Sequence, residues 1–116
     1  MKIYAVRHGQ TEYNRQHRLQ GWIDAPLTEE GERQARQAGK GLKDVDFQIC
    51  VSSPLGRTVS TAELILEDRP VKIVTDEGLK EMSFGDLEGK PIDEVFDPAH
   101  KCYYTGFKAH NGETPE

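Results

Sequence analysis

The residues that decide the fold are Lys-Ile-Tyr-Ala-Val at positions 2–6, followed directly by Arg7, His8 and Gly9. The run at 2–6 is almost entirely apolar or aromatic, and polar residues and a glycine come immediately after it. A continuous apolar run of this kind is typical of a strand buried in a parallel sheet. His8 would then lie just beyond the carboxyl end of the strand, which is where open α/β sheets bind their ligands.

Helices are predicted on either side of a second strand. A short helical turn is expected within residues 11–18. Thr28 can cap the next helix, acidic residues fill its first turn, and Gly41 can end it. The inner face of that helix has helical spacing and mostly small residues, namely Gly31, Ala35, Ala38 and Leu42. Ser53 and Pro54 predict the start of a further helix, as its cap and its first residue.

Two more strands are predicted at residues 47–52 and 71–75. The resulting order β, α, β, α, β predicts an α/β fold with a parallel-type sheet and flanking helices. Residues 77–89 carry three glycines and four carboxylates and predict a shaped loop, after which Pro91 could begin another helix. A chain of 116 residues is at most one domain, here residues 1–116.

The composition argues against several classes of partner. Acidic residues outnumber basic ones by 20 to 15, so no overall positive field would attract nucleic acid or an anionic membrane. Cys50 and Cys102 are too few for a disulfide framework and do not have the spacing of metal ligands. We see no signal peptide and no membrane-spanning run. We therefore expect a cytoplasmic protein without nucleic-acid or membrane partners.

The residues that could carry chemistry are a histidine, two arginines and a carboxylate. Arg7 and Arg57 both follow predicted strands, so they could meet at one rim of the sheet, beside a helix N-terminus that favours phosphate. His8 could then act as a nucleophile toward phosphorus, and Glu81 could protonate the leaving oxygen. On the residues alone, His8 could equally be a structural histidine, and Glu81 could be one more solvated carboxylate.

Four motifs in this order resemble the histidine phosphatase superfamily, in its phosphoglycerate mutase-like branch. They are Arg7-His8-Gly9 with Thr11 and Asn14, residues 19–24 leading into 26–31, residues 52–57, and residues 79–81 with 87–89. The resemblance implies that His8 is the phosphorylated nucleophile and Glu81 the proton donor. It further implies phosphate-binding and substrate-lining residues, which are Arg7, Asn14, Arg57, Gln20 and Gly21. The substrate implied is a small phosphorylated molecule, with no metal and no other cofactor.

One feature of that family has no counterpart in this chain. The family's second essential histidine precedes a glycine at the end of a later strand, whereas His17, His100 and His110 precede Arg, Lys and Asn. We therefore interpret the chain as a truncated, incomplete domain whose hydrolytic activity is weak or absent. A sheet that lacks a strand leaves an edge exposed, so we expect self-association through that edge.

Two alternatives to a phosphatase remain open. A phosphoglycerate mutase would transfer the phosphoryl group back to the substrate instead of to water. A non-catalytic module would bind a phospholigand, or oligomerise, without any reaction.

Overall fold

A computed structural model describes residues 1–81 and 83–92. The helices are α1 (Glu12–Arg15), α2 (Glu29–Gly41) and α3 (Gly56–Leu66), and the strands are β1 (Cys50–Ser52) and β2 (Ile73–Thr75). Two 3₁₀ turns, Glu77–Leu79 and Gly85–Leu87, shape the glycine-rich loop. Most of the helix predicted from Pro91, and the rest of the chain, lie outside the described residues.

The sheet and its connecting helix form a β-α-β unit. β1 and β2 are parallel, with Val51 opposite Val74, and α3 provides the crossover between them. This confirms the α/β class with a parallel sheet and flanking helices. Both strands are shorter than the predicted runs at 47–52 and 71–75, because the ladder begins at the bond from Cys50 N–H to the Lys72 carbonyl.

The strand predicted at residues 2–6 is absent. Those residues are irregular, and no strand in the described part of the chain pairs with them. Their side chains are largely exposed, with Ile3 82% and Val6 52% accessible. Apolar character sets a preference for burial, but a strand also needs a hydrogen-bonded neighbour, and the described residues supply none.

Helix α2 forms as its sequence predicts. Thr28 accepts a hydrogen bond from the Gly31 N–H at 3.1 Å, and the helix ends at Gly41. Gly31 is buried so tightly that a Cβ atom there would lie 2.0 Å from the Gln10 carbonyl oxygen. The lack of a side chain at this position therefore lets α2 pack directly against the segment that follows His8.

Helix α3 begins later than predicted and is capped differently. Its first residue is Gly56 instead of Pro54, and Leu55 at the N-cap offers no side-chain bond. The carboxylate of Asp24 accepts from the N–H groups of Gly56 at 2.7 Å and Arg57 at 3.2 Å. A distant carboxylate thus caps α3, while the Ser53 hydroxyl accepts from the Leu55 N–H at 3.4 Å, one residue before the helix.

The short helical turn expected within residues 11–18 is α1. Thr11 and Asn14 form a reciprocal capping box at its start. Among residues 1–81 and 83–92, no helix is both long enough and apolar enough to cross a membrane.

Candidate functional site

His8 lies half-buried between the amino-terminal segment and helices α2 and α3. Its Nδ1 is 2.7 Å from the carbonyl oxygen of Gly9. A carbonyl can only accept, so this contact assigns the proton to Nδ1 and leaves the lone pair on Nε2. Nε2 is therefore the nitrogen that can act as a nucleophile.

The surroundings of His8 favour its neutral form. Burial is the main reason that the pKa of His8 is lowered from 6.5, and the positive charges of Arg57 and Arg7 lower it further. The Gly9 carbonyl and the negative charge of Glu81 oppose this shift. Arg57, Arg7 and Glu81 are thus the charged side chains that influence the protonation of His8.

Arg7 is exposed on the same side of the molecule as His8. The two residues line a cavity of about 60 Å³ together with Val6, Gly9 and residues of α2 and α3. This volume is far below the roughly 300–1,000 Å³ of typical small-molecule pockets. The described residues thus present His8 and Arg7 at a shallow surface site.

Arg57 is almost completely buried, with 3% of its surface accessible. Its Nη1 donates to the Ile23 carbonyl at 2.8 Å and its Nη2 to the Gly21 carbonyl at 2.5 Å. Nε is buried without a hydrogen-bond partner, and burial lowers the pKa of the guanidinium. The guanidinium fork is thus occupied by the 21–23 turn, while its charge still acts on His8.

The helix N-terminus expected to hold phosphate is already occupied. The Asp24 carboxylate caps α3, and its Oδ1 lies 3.8 Å from Nη1 of Arg57. A carboxylate at this position takes the place that an anionic ligand would occupy. The part of the prediction that used the α3 dipole is therefore wrong, because sequence spacing did not reveal Asp24 as the cap.

Gln20 links the start of α1 to Arg57. With its amide oriented to satisfy its neighbours, Nε2 donates to Thr11 Oγ1 at 2.6 Å, and Oε1 accepts from Arg57 Nη1 at 3.0 Å. Asn14 accepts from the Thr11 N–H at 3.0 Å through its Oδ1 atom. The Nδ2 group is consequently the part of Asn14 suited to donate to an anion.

Glu81 is exposed on the glycine-rich loop, and its backbone is tied to another predicted site segment. The indole Nε1 of Trp22 donates to the Glu81 carbonyl at 2.8 Å. The Nζ of Lys80 lies 4.2 Å from the centre of the Trp22 ring, in a cation–π contact. Trp22 therefore ties the turn at residues 20–24 to Lys80 and Glu81.

Two residues organise this site through contacts that the sequence patterns do not predict. Buried Thr61 accepts from the Gly9 N–H and donates to the Arg57 carbonyl, so it joins the His8 loop to α3. Glu88 accepts from the backbone N–H groups of Gly21 and Trp22 at 3.0 and 2.8 Å. Glu88-Gly89 was recognised as part of a motif, but nothing in the spacing indicated what its carboxylate contacts.

Within residues 1–81 and 83–92, no three His, Cys, Asp or Glu side chains are grouped as ligands of a metal ion would be.

Fold and site together define an α/β protein whose half-buried neutral histidine lies within electrostatic range of two arginines and a carboxylate. Residues 3–116 match the sequence profile of the Histidine phosphatase superfamily (branch 1). The chain belongs to this superfamily.

Its relatives include proteins named as phosphatases and as mutases. The chain is 47% identical over 92 residues to the uncharacterized phosphatase PhoE of Bacillus subtilis (strain 168), which covers 79% of this chain and 48% of the relative. It is 41% identical over 97 residues to the probable phosphoglycerate mutase GpmB of Klebsiella pneumoniae (strain 342), with 84% and 45% covered. The chain thus spans about half the length of these relatives.

A solved structure is similar to this chain over a comparable share of its length. YhfR of Bacillus stearothermophilus superimposes with a TM-score of 0.75 at 42% identity, covering 79% of this chain and 46% of that protein. This likeness extends the family assignment to the three-dimensional fold.

Proposed function

We propose that this chain carries the phosphoryl-accepting part of a histidine phosphatase site, which hydrolyses small phosphate monoesters through a phosphohistidine at His8. The observation that carries the proposal is the contact between His8 Nδ1 and the Gly9 carbonyl, which leaves Nε2 with its lone pair. The lowered pKa of His8 supports it, since a neutral imidazole is the nucleophilic form.

In the first step, Nε2 of His8 attacks phosphorus and the bond from phosphorus to the leaving oxygen breaks. Glu81, in its protonated form, donates the proton that this oxygen needs. Arg7, Asn14 and the charge of Arg57 stabilise the negative oxygens of the transferring group. Gln20 and Gly21 line the substrate side of the site.

In the second step, water attacks the phosphorus of phosphohistidine and the bond from phosphorus to Nε2 breaks. The Glu81 carboxylate takes up the proton released by the water, so inorganic phosphate leaves and His8 returns to its neutral state. No metal or other cofactor enters this scheme. We place the reaction in the cytoplasm, and we expect slow turnover because no second histidine followed by glycine accompanies His8 in this sequence.

A mutase differs in the acceptor of the phosphoryl group. The relative named probable phosphoglycerate mutase GpmB favours this second candidate. In a mutase, a second hydroxyl of a phosphorylated intermediate would attack phosphohistidine in place of water. Parallel assays of phosphate release and of isomerisation with 3-phosphoglycerate separate the two reactions.

A non-catalytic phospholigand module is the third candidate, and the engaged state of Arg57 favours it. Both Nη groups of Arg57 already donate to backbone carbonyls, so the residue supplies charge without an open fork. Tungstate binding measured by calorimetry, without any phosphoryl transfer to His8, would support this module over the phosphatase.

The phosphohistidine itself gives the decisive test. The 116-residue chain is incubated with a ³²P-labelled phosphate monoester, and bound label is measured after acid and after alkali. We expect label that is lost in acid and kept in alkali, which is the behaviour of phosphohistidine. His8→Ala should abolish this label.

The matched control is His17→Asn. His17 is exposed and has a positive φ of 55°, a backbone conformation that asparagine tolerates. This variant should keep the label of the unaltered chain. Label that persists in His8→Ala, or that disappears in His17→Asn alone, would refute the assignment of the nucleophile.

A further inference from the structure

The backbone turn at residues 21–23 lies between a negative and a positive side chain. The Glu88 carboxylate accepts from all three N–H groups of the turn, at 3.0 Å for Gly21, 2.8 Å for Trp22 and 3.3 Å for Ile23. On the other side, the Arg57 guanidinium donates to the carbonyls of Gly21 and Ile23. The peptide groups of the turn are therefore held from both sides by opposite charges.

Glu88 also accepts a hydrogen bond from a backbone N–H group of the glycine-rich loop to which it belongs. Its Oε1 accepts from the Phe84 N–H at 3.2 Å, so one carboxylate joins the turn at 21–23 to the glycine-rich loop. Hydrogen bonds to an ionised carboxylate are stronger than bonds between neutral groups. Four backbone donors converge here on one half-buried carboxylate, which makes Glu88 the centre of this junction.

We propose that Glu88 is a positioning residue of the phosphoryl-transfer site, acting on Arg57 through the 21–23 turn and on Glu81 through Trp22. This proposal rests on the function proposed above and deepens it. Glu88 touches neither His8 nor a substrate oxygen in this scheme. It sets where the cationic and the proton-donating groups stand relative to His8.

Glu88 acts along two routes, which have different chemical consequences. We call the route through the 21–23 turn the Arg57 branch and the route through the indole of Trp22 the Trp22 branch. The Arg57 branch runs through the carbonyls of Gly21 and Ile23, so it governs the charge that an oxyanion meets. The Trp22 branch runs through the indole N–H to the Glu81 carbonyl, so it governs the position of the proton donor. Separate substitutions can therefore impair anion binding and proton transfer independently.

The test uses the 116-residue chain and two readouts. Calorimetric titration with tungstate, a mimic of phosphate, reports the Arg57 branch, and the single-turnover rate of ³²P transfer to His8 reports both. Glu88→Gln replaces a carboxylate by an amide that cannot accept from every N–H group, so we expect tungstate affinity and transfer rate each to fall by about tenfold. Glu29→Gln removes the same charge from an exposed position on α2 and should change neither readout by more than about twofold.

Trp22→Phe separates positioning from general structural damage. This variant keeps an aromatic ring beside Lys80 and all the backbone bonds to Glu88, but it loses the indole N–H that reaches Glu81. We expect tungstate affinity to stay within about twofold while the transfer rate falls by about tenfold and its pH profile changes. A merely structural role for this junction would lower both readouts together in Trp22→Phe.

Each outcome has a distinct meaning. Unaltered tungstate affinity in Glu88→Gln overturns the proposal for Glu88 and leaves the proposed function standing. Equal losses of both readouts in Trp22→Phe overturn the division into two branches. An unsubstituted chain that neither binds tungstate nor accepts label overturns the proposed function itself, and the role of Glu88 with it.

Discussion

The hydroxyl of Thr61 accepts a hydrogen bond from the buried N–H of Gly9 at 3.1 Å. The same hydroxyl donates to the Arg57 carbonyl at 2.7 Å. A single side chain on α3 thus fixes the backbone immediately after the candidate nucleophile, and it does so from the helix that also carries Arg57. Because Thr61 is 52 residues away from Gly9, only the folded chain brings the two together.

Replacement of Thr61 by valine should destabilise the protein by about 1–3 kcal/mol, since the buried Gly9 N–H would lose its acceptor. Urea unfolding measures this loss in the free energy of unfolding. Thr61→Ser keeps the hydroxyl and should lose less than Thr61→Val. A loss in Thr61→Val that is no larger than the loss in Thr61→Ser would contradict a dominant role for the hydroxyl.

Replacement of Gly31 by alanine should destabilise the protein by about 1–3 kcal/mol or more, despite alanine's higher helix propensity. The added Cβ would lie 2.0 Å from the Gln10 carbonyl oxygen and would push α2 away from the His8 segment. Thermal unfolding measures the effect. Gly41→Ala is the matched control, because a Cβ at the end of the same helix meets no atom within 4 Å. If both variants unfold at the same temperature, the close packing at Gly31 is not important for stability.

Stability should fall as the pH drops below about 6.5, in part because of His8. The pKa of His8 is lowered in the folded state, mainly by burial, so the unfolded chain binds a proton that the folded chain does not. The resulting loss in the free energy of unfolding begins near pH 6.5, the ordinary pKa of histidine, and grows as the pH falls to the pKa of His8 in the folded state. Unfolding free energies measured between pH 8 and pH 5 should therefore decrease less in His8→Asn than in the unsubstituted chain. An identical decrease in both would show that His8 titrates alike in the two states.

We propose that two copies of the chain associate through the exposed apolar segment at residues 2–6. Ile3 and Val6 are largely accessible, and the segment has no paired strand in the described residues, so two such segments can pair with each other. Sedimentation velocity should show a dimer that Ile3→Asp converts to a monomer. Leu79→Asp alters a comparably exposed residue outside the segment and should leave the dimer intact. A monomer at all concentrations would contradict this proposal.

The sequence predicted the elements whose signals are local. Thr28 caps α2 as expected, because an N-cap bond spans only three residues. The parallel arrangement of β1 and β2 follows from a strand, a helix and a strand in succession, since such crossovers admit few alternatives. The strand predicted at residues 2–6 does not form, because its pairing depends on a partner that its own residues do not specify.

The candidate site also has one part that the sequence predicts and another that only the folded structure reveals. The sequence by itself identified His8, Arg7, Arg57 and Glu81 as chemically suited to phosphate, through residue types and a family resemblance. Only the tertiary structure decided that Asp24 caps α3, that Arg57 is engaged by the 21–23 turn, and that Glu88 holds that turn. Those contacts join residues more than 30 positions apart, and such long-range pairs leave no spacing pattern that a single sequence can display.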